Sequence, residues 1–142
     1  MKKILIAEDN PVNRELLREL LELRGYEVLE ACDGQEALNM IAQQLPDLLI
    51  LDLGMPVLDG FGVIRKLRAE AATARLRVLA ATAYAMRGDR EKVMEAGFDG
   101  YLSKPIDNAA LMLELQRLLG AEDAAQAAAA AAAAATVITP GT

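Results

Sequence analysis

Five times along this chain a short apolar run gives way to a segment whose apolar residues recur every three or four positions. Such alternation calls for repeated strand–helix units around a parallel sheet, because the run reads as a buried strand and the helical period as its covering helix. Residues 4–7, 48–51 and 78–81 are the continuously apolar runs, whereas residues 26–30, the second segment in chain order, are half polar and read as an edge strand. Residues 101–103 form a short fifth strand. Asn10-Pro11 opens the first helix, since proline is preformed for the first helical position. Val12, Leu16, Leu17, Leu20 and Leu21 make its expected apolar stripe, and Gly25 stops it. Asp33 with Glu36 resembles a capping box for a second helix, which carries Ala37, Leu38 and Ile41 inward and ends before Pro46. A loop containing Met55-Pro56 leads to a third helix with Phe61, Ile64 and Leu67 inward. A polar fourth helix is expected from about residue 87 to residue 96, stopping at Gly97. Asp107 or Asn108 caps a last helix with Leu111, Leu115, Leu118 and Leu119 inward.

A length of 142 residues suits one such α/β domain, expected over residues 1–120. Beyond it, residues 121–142 read as a low-complexity, alanine-rich tail to which no chemistry is assigned. That tail inflates the hydrophobic fraction of 54%, whereas the aromatic fraction of 4% points to an aliphatic core. The net charge of −6, with basic residues scattered along the chain, argues against direct nucleic-acid binding. No apolar stretch approaches membrane-spanning length. The apolar residues after Met1-Lys2-Lys3 are interrupted by Glu8 and Asp9, too soon for a secretory segment. The single Cys32 excludes an internal disulfide and fits a reducing compartment, so a cytoplasmic location is expected. The absence of histidine is more informative: chemistry here must run on carboxylates, hydroxyls, lysine or Cys32.

Polar residues fall at the C-terminal ends of four strands: Glu8 and Asp9, Asp52, Thr82 and Lys104. Ligands of open parallel sheets bind just outside those ends, where the strand order reverses. If the first and third strands are neighbours there, Asp9 and Asp52 face one crevice with Glu8 nearby. Two bare carboxylates about 4 Å apart repel by roughly 4 kcal/mol at an effective dielectric of about 20. Either their pKa values rise or a cation relieves them. A few oxygen ligands borne mostly on loops suit Mg²⁺, which retains waters and accepts phosphate oxygens, with Mn²⁺ as the alternative. Singly, each residue has a plainer explanation. Asp9 or Asp33 serves as well as a helix cap, Thr82 as a β-branched strand residue, Lys104 as a solvated charge, Asp59-Gly60 as a turn and Cys32 as a small apolar side chain. Their convergence on one crevice outweighs those readings.

Glu8-Asp9, Asp52 with Met55-Pro56 and Asp59-Gly60, Ala81-Thr82-Ala83 and Lys104-Pro105 together resemble the receiver domain of bacterial two-component response regulators, over residues 3–119. The stretch from Asp9 to Arg14 resembles receivers associated with hybrid sensor kinases. The resemblance implies a doubly wound, flavodoxin-like (βα)5 fold with strand order 2-1-3-4-5. It implies Asp52 as the nucleophile that takes a phosphoryl group from a phosphohistidine of a sensor kinase or phosphotransfer protein. Glu8, Asp9, Asp52 and the Gly54 backbone carbonyl would hold Mg²⁺, Lys104 and Thr82 would bind phosphoryl oxygens, and Lys104-Pro105 would be cis. Thr82 moving toward the phosphoryl group would let Tyr101 turn inward and remodel the face of the fourth helix, fifth strand and last helix, where a downstream protein would bind. Gly54 leaves the site open, and Tyr84 bears on how readily water reaches it. Output would pass through contacts, the tail or a longer parent protein; a weak homodimer through the last helices has no specific feature behind it.

Three other functions compete. A turnover phosphohydrolase of the dehalogenase type would place a second Asp two residues after the nucleophile, where this chain has Gly54. A flavodoxin-like cofactor module needs a hydroxyl- and glycine-rich loop after the first strand, where this chain has Glu8-Asp9-Asn10-Pro11. A receiver-shaped domain that only binds partners would have no use for the complete set of acids, Thr82 and Lys104.

Overall fold

The computed structural model describes residues 2–55, 57–83 and 89–120. Five strands alternate with five helices: β1 (Lys3–Ala7), α1 (Pro11–Leu23), β2 (Glu27–Ala31), α2 (Gly34–Gln43), β3 (Leu48–Asp52), α3 (Gly60–Ala69), β4 (Arg77–Thr82), α4 (Asp89–Ala96), β5 (Gly100–Ser103) and α5 (Asn108–Leu119). All strand pairs are parallel and the order is β2-β1-β3-β4-β5. The chain therefore reverses direction of growth between β1 and β3, which places the ligand crevice of such a sheet at their C-terminal ends. β3 is buried throughout and β2, at the edge, only at Ala31.

Each face of the sheet packs its own apolar layer. One gathers Ile4, Ile6, Leu48, Ile50 and Leu79 with Leu17 and Leu21 of α1 and Leu111, Leu115 and Leu118 of α5. The other gathers Leu5, Leu49, Leu51, Val78 and Ala80 with Ala37 and Ile41 of α2, Val63, Ile64 and Leu67 of α3, and Val93 of α4. Successive strand residues point to opposite faces, which is why a run such as Leu48–Leu51 is apolar without alternation.

Local signals behave as their chemistry requires. The Asn10 Oδ1 accepts from the amides of Val12 and Asn13, the Asp33 Oδ1 from Glu36, the Asp59 Oδ1 from Gly62 and the Asp107 carboxylate from Ala110, so four helices start on side-chain caps. Asp59 is thus a cap as well as part of a turn, and Asp107 rather than Asn108 caps α5. Gly25 stops α1 with a φ of 88°.

The expected stripe of α1 needs correction. Leu17 and Leu21 are buried and Leu20 packs partly against them, but Val12 is 72% and Leu16 54% exposed. The helix is broad in apolar residues, and the sheet covers only part of that breadth. α4 begins at Asp89 within the described residues; Arg87, Tyr84, Pro56 and the alanine-rich tail lie outside them.

Candidate functional site

The register sets the site. Ala7 lies opposite Leu51 and Asp52 opposite Ala81, so the residues just past the end of β1, at the end of β3 and at the end of β4 share one rim. Two backbone bonds continue the ladders beyond the strands, Leu53 N to Ala81 O at 3.1 Å and Lys104 N to Thr82 O at 2.8 Å. The second of these fixes where Lys104 leaves the sheet. The Lys104–Pro105 peptide that follows is cis, as the resemblance implies.

Lys104 reaches back to the centre of the rim. Its Nζ lies 2.5 Å from Glu8 Oε1 and 3.3 Å from Asp52 Oδ2. Both acids are buried, at 5% and 8% exposure, whereas Asp9 is exposed. Glu8, Asp9 and Asp52 each offer a carboxylate oxygen within 4.8 Å of the others. The Asp52 Oδ1 also accepts from the Gly54 amide at 3.1 Å, which orients the carboxylate. A Cβ on Gly54 would stand 3.9 Å from that oxygen, so glycine leaves the approach to Asp52 clear.

Burial and mutual proximity drive the two inner acids apart in acidity. Burial, with a hydrogen bond to Asp52, raises Glu8 to about 7. Burial also disfavours the Asp52 anion, but hydrogen bonds from Glu8 and the Gly54 amide, with Lys104 nearby, outweigh it and hold Asp52 below its usual value. Burial would lower Lys104, yet its bonds to Glu8 and the Asp52 charge raise it. The resulting rim holds an ionised Asp52, a firmly protonated Lys104 and a Glu8 poised near neutrality. Three close carboxylate oxygens at the strand ends fit a hard, oxygen-seeking divalent cation of the Mg²⁺ type.

Thr82, the last residue of β4, is buried beside this rim, and Tyr101 of β5 is half-buried against the α2–α4 layer. Sequence reasoning missed Arg14. Its guanidinium donates to the Glu8 carbonyl at 2.9 Å and pairs with Glu30 at 3.6 Å, pinning the turn that presents Glu8. A contact six residues away with a strand-end carbonyl carries no short-range signature. Also unforeseen was the cleft on the α1 side of the rim, where Leu16, Leu20 and Ile106 lie beside Glu8, Asp52 and Lys104.

Residues 4–116 match the family model described as the response regulator receiver domain. The chain belongs to that family. It is 35% identical over 119 residues to the polar-differentiation response regulator DivK of Brucella anthropi, a match covering 84% of this chain and 97% of that protein. Among solved structures it resembles the receiver domain of a sensor histidine kinase from Pseudomonas aeruginosa, which has a magnesium ion coordinated in its active-site cleft (39% identity, TM-score 0.76, covering 82% of this chain and 96% of that one). It also resembles the chemotaxis response regulator CheY4 of Vibrio cholerae (30% identity, TM-score 0.77, covering 83% and 98%). This receiver domain thus has the doubly wound order that the resemblance implied. No helix among its described residues is long and apolar enough to cross a membrane.

Proposed function

We propose that this receiver domain is a phosphoacceptor switch in which Asp52 takes a phosphoryl group from a phosphohistidine of a sensor kinase or phosphotransfer protein. The carrying observation is the placement of Asp52: a buried, acidified carboxylate between Lys104 and two further acids at the sheet's switch point. An Asp52 oxygen attacks phosphorus, the P–N bond breaks, and its electron pair returns to the imidazole, which takes up a proton; an acyl phosphate remains. These 142 residues include no histidine, so the donor phosphohistidine lies outside them.

Glu8, Asp9, Asp52 and the Gly54 carbonyl would hold Mg²⁺, or Mn²⁺ in its place, which supplies positive charge against the phosphoryl oxygens. The residues do the rest. Lys104 turns from Glu8 to a phosphoryl oxygen, the Thr82 hydroxyl donates to another, and Arg14 keeps the β1–α1 turn in place. Transfer is mostly positioning and charge neutralisation, and these groups are already set for it. The switch has no separate turnover substrate. Its output would be a change in the face of α4, β5 and α5 as Thr82 and Tyr101 shift, read by a downstream protein in the cytoplasm.

The donor needs its own footing beside Asp52. The exposed Val12 and Leu16 and the cleft wall of Leu20 and Ile106 supply an apolar landing next to the crevice. A helix carrying a phosphohistidine could bury its apolar side there while the phosphoryl group enters from above.

The deciding experiment is labelling by acetyl phosphate with Mg²⁺. The unaltered chain should gain one acid-stable, hydroxylamine-labile phosphoryl group, and Asp52→Asn should gain none. Undiminished labelling of the Asn variant would refute the assignment.

A further inference from the structure

We propose that Lys92 of α4 is a positioning residue for the phosphorylated state: its ammonium group is drawn to the phosphoryl oxygens beside Thr82 and carries α4 with it. This rests on Asp52 being the phosphoacceptor and assigns a coupling residue that the site itself does not contain.

Positive charge at the rim is one-sided. Lys104 sits on the Glu8 side of Asp52, bonded to Glu8. On the opposite side a cleft of about 340 Å³ opens between the β3–α3 loop, the end of β4 and α4, lined in part by Gly54, Asp59, Thr82, Lys92 and Val93. Lys92 is the one cation among the described residues of that lining. Among the described residues no hydrogen bond or ion pair commits its ammonium group. Asp59, the acid among the described residues of that lining, accepts the amide of Gly62 on its Oδ1 at 2.8 Å.

A phosphoryl group brings a charge of about −1.5 to −2 to this rim. Oxygens facing Thr82 then meet a neutral hydroxyl at close range and a mobile ammonium group across the cleft. Lysine is suited to this, being a point charge on a long flexible stem. The helix that bears it is lightly held. Val93 is the only buried residue among the described side chains of α4, whereas α3 buries Val63, Ile64 and Leu67 on the same sheet face. A helix with one buried anchor opens and shifts more cheaply than one with three. Lys92 stands next to that anchor, so a pull on it turns α4 about Val93 rather than sliding the core.

The test is hydrogen exchange of the full chain with Mg²⁺, with and without beryllofluoride, for the unaltered protein, Lys92→Gln and Lys92→Arg. Lys92 is exposed, so neither substitution threatens the fold. Beryllofluoride should increase protection of residues 89–96 by roughly threefold or more in the unaltered and Arg chains and leave the Gln chain nearly unchanged. Acetyl phosphate should still label Asp52 in all three. Equal protection of α4 in the Gln chain, with labelling intact, overturns the role of Lys92 alone. A failure of the unaltered chain to label or to bind beryllofluoride overturns both this inference and the proposed function.

Discussion

Glu8 is the residue on which the free site's pH response turns. Its folded pKa of about 7 lies above its ordinary value of 4.5, so the folded chain keeps a proton that the unfolded chain has released. The stability this confers is complete below the ordinary value and is lost as pH rises through about 7. Asp52, held below its ordinary value, works the other way at acid pH: its contribution is present above that value and disappears as pH falls through the folded one. Without divalent cation, the melting temperature should therefore decline from about pH 5 to about pH 7.5, and Glu8→Gln should flatten that slope. Thermal scans across this range check it; an unchanged slope in the Gln variant would show that Glu8 is not the titrating group.

Val57 shows a different residue-scale tension. It has a φ of +70° and is 82% exposed, in the loop that follows Asp52. A β-branched side chain in the left-handed region costs on the order of 1–2 kcal/mol, and this one recovers little by burial. Val57→Asn should raise stability by about 1 kcal/mol in urea unfolding, since asparagine tolerates that backbone. A destabilised Asn variant would mean that the valine side chain is held by something that its exposure does not suggest.

Between elements, the close approach of α2 to the β3–α3 loop matters most for the site. A Cβ on Gly34, the first residue of α2, would stand 2.2 Å from the Leu58 carbonyl oxygen and 2.7 Å from Val63 Cγ2. Backbone cannot yield there without moving the loop that carries Gly54. Gly34→Ala should cost about 1–3 kcal/mol of stability and slow acetyl phosphate labelling as well, because the loop and Asp52 shift together. Stability assays run beside labelling separate the two effects. At the far end of the sheet Arg68 plays the corresponding part. It donates to the carbonyls of Gly97, Ala74 and Leu76 and pairs with Asp99 at 2.9 Å, tying α3 to the turns around β4 and β5. Sequence patterning shows α3 as a helix but gives no hint of this clamp, whose partners lie up to 31 residues away.

Across the whole molecule the two faces of the sheet differ in what they expose and how firmly they hold their helices. The α1–α5 face ends in the exposed apolar patch beside Asp52, and the opposite face carries the lightly anchored α4. In the proposed switch a donor would dock on the α1 side, while the α4–β5–α5 surface would wrap the β5 edge onto both faces, with Asp52 at the rim they share. Leu16→Asp should slow phosphoryl transfer from a protein donor by about tenfold, the worth of one lost apolar contact plus charge burial, while labelling by acetyl phosphate stays as before. Equal slowing with both donors would place the defect in the site and not in docking.

Much of this was legible along the chain because its causes are local. Strand runs, helical periods and the cap at Asp33 depend on residues within about four positions, and hydrogen bonds of that span follow from sequence; the caps at Asn10 and Asp59 have the same span, though Asn10-Pro11 reads first as a proline helix start and Asp59-Gly60 as a turn. The acids, Thr82 and Lys104 were identifiable as strand-end residues for the same reason. What tertiary structure decided is non-local. Val12 and Leu16 fit a helical stripe as well as Leu17 and Leu21 do, and only the position of the sheet determines which pair it covers. Glu8 and Lys104 are separated by 96 residues, and nothing short of the parallel register brings them to 2.5 Å. Hence the charge state of the rim, unlike its composition, belongs to the fold: burial and distance set it, and neither is a property of a residue in the chain alone.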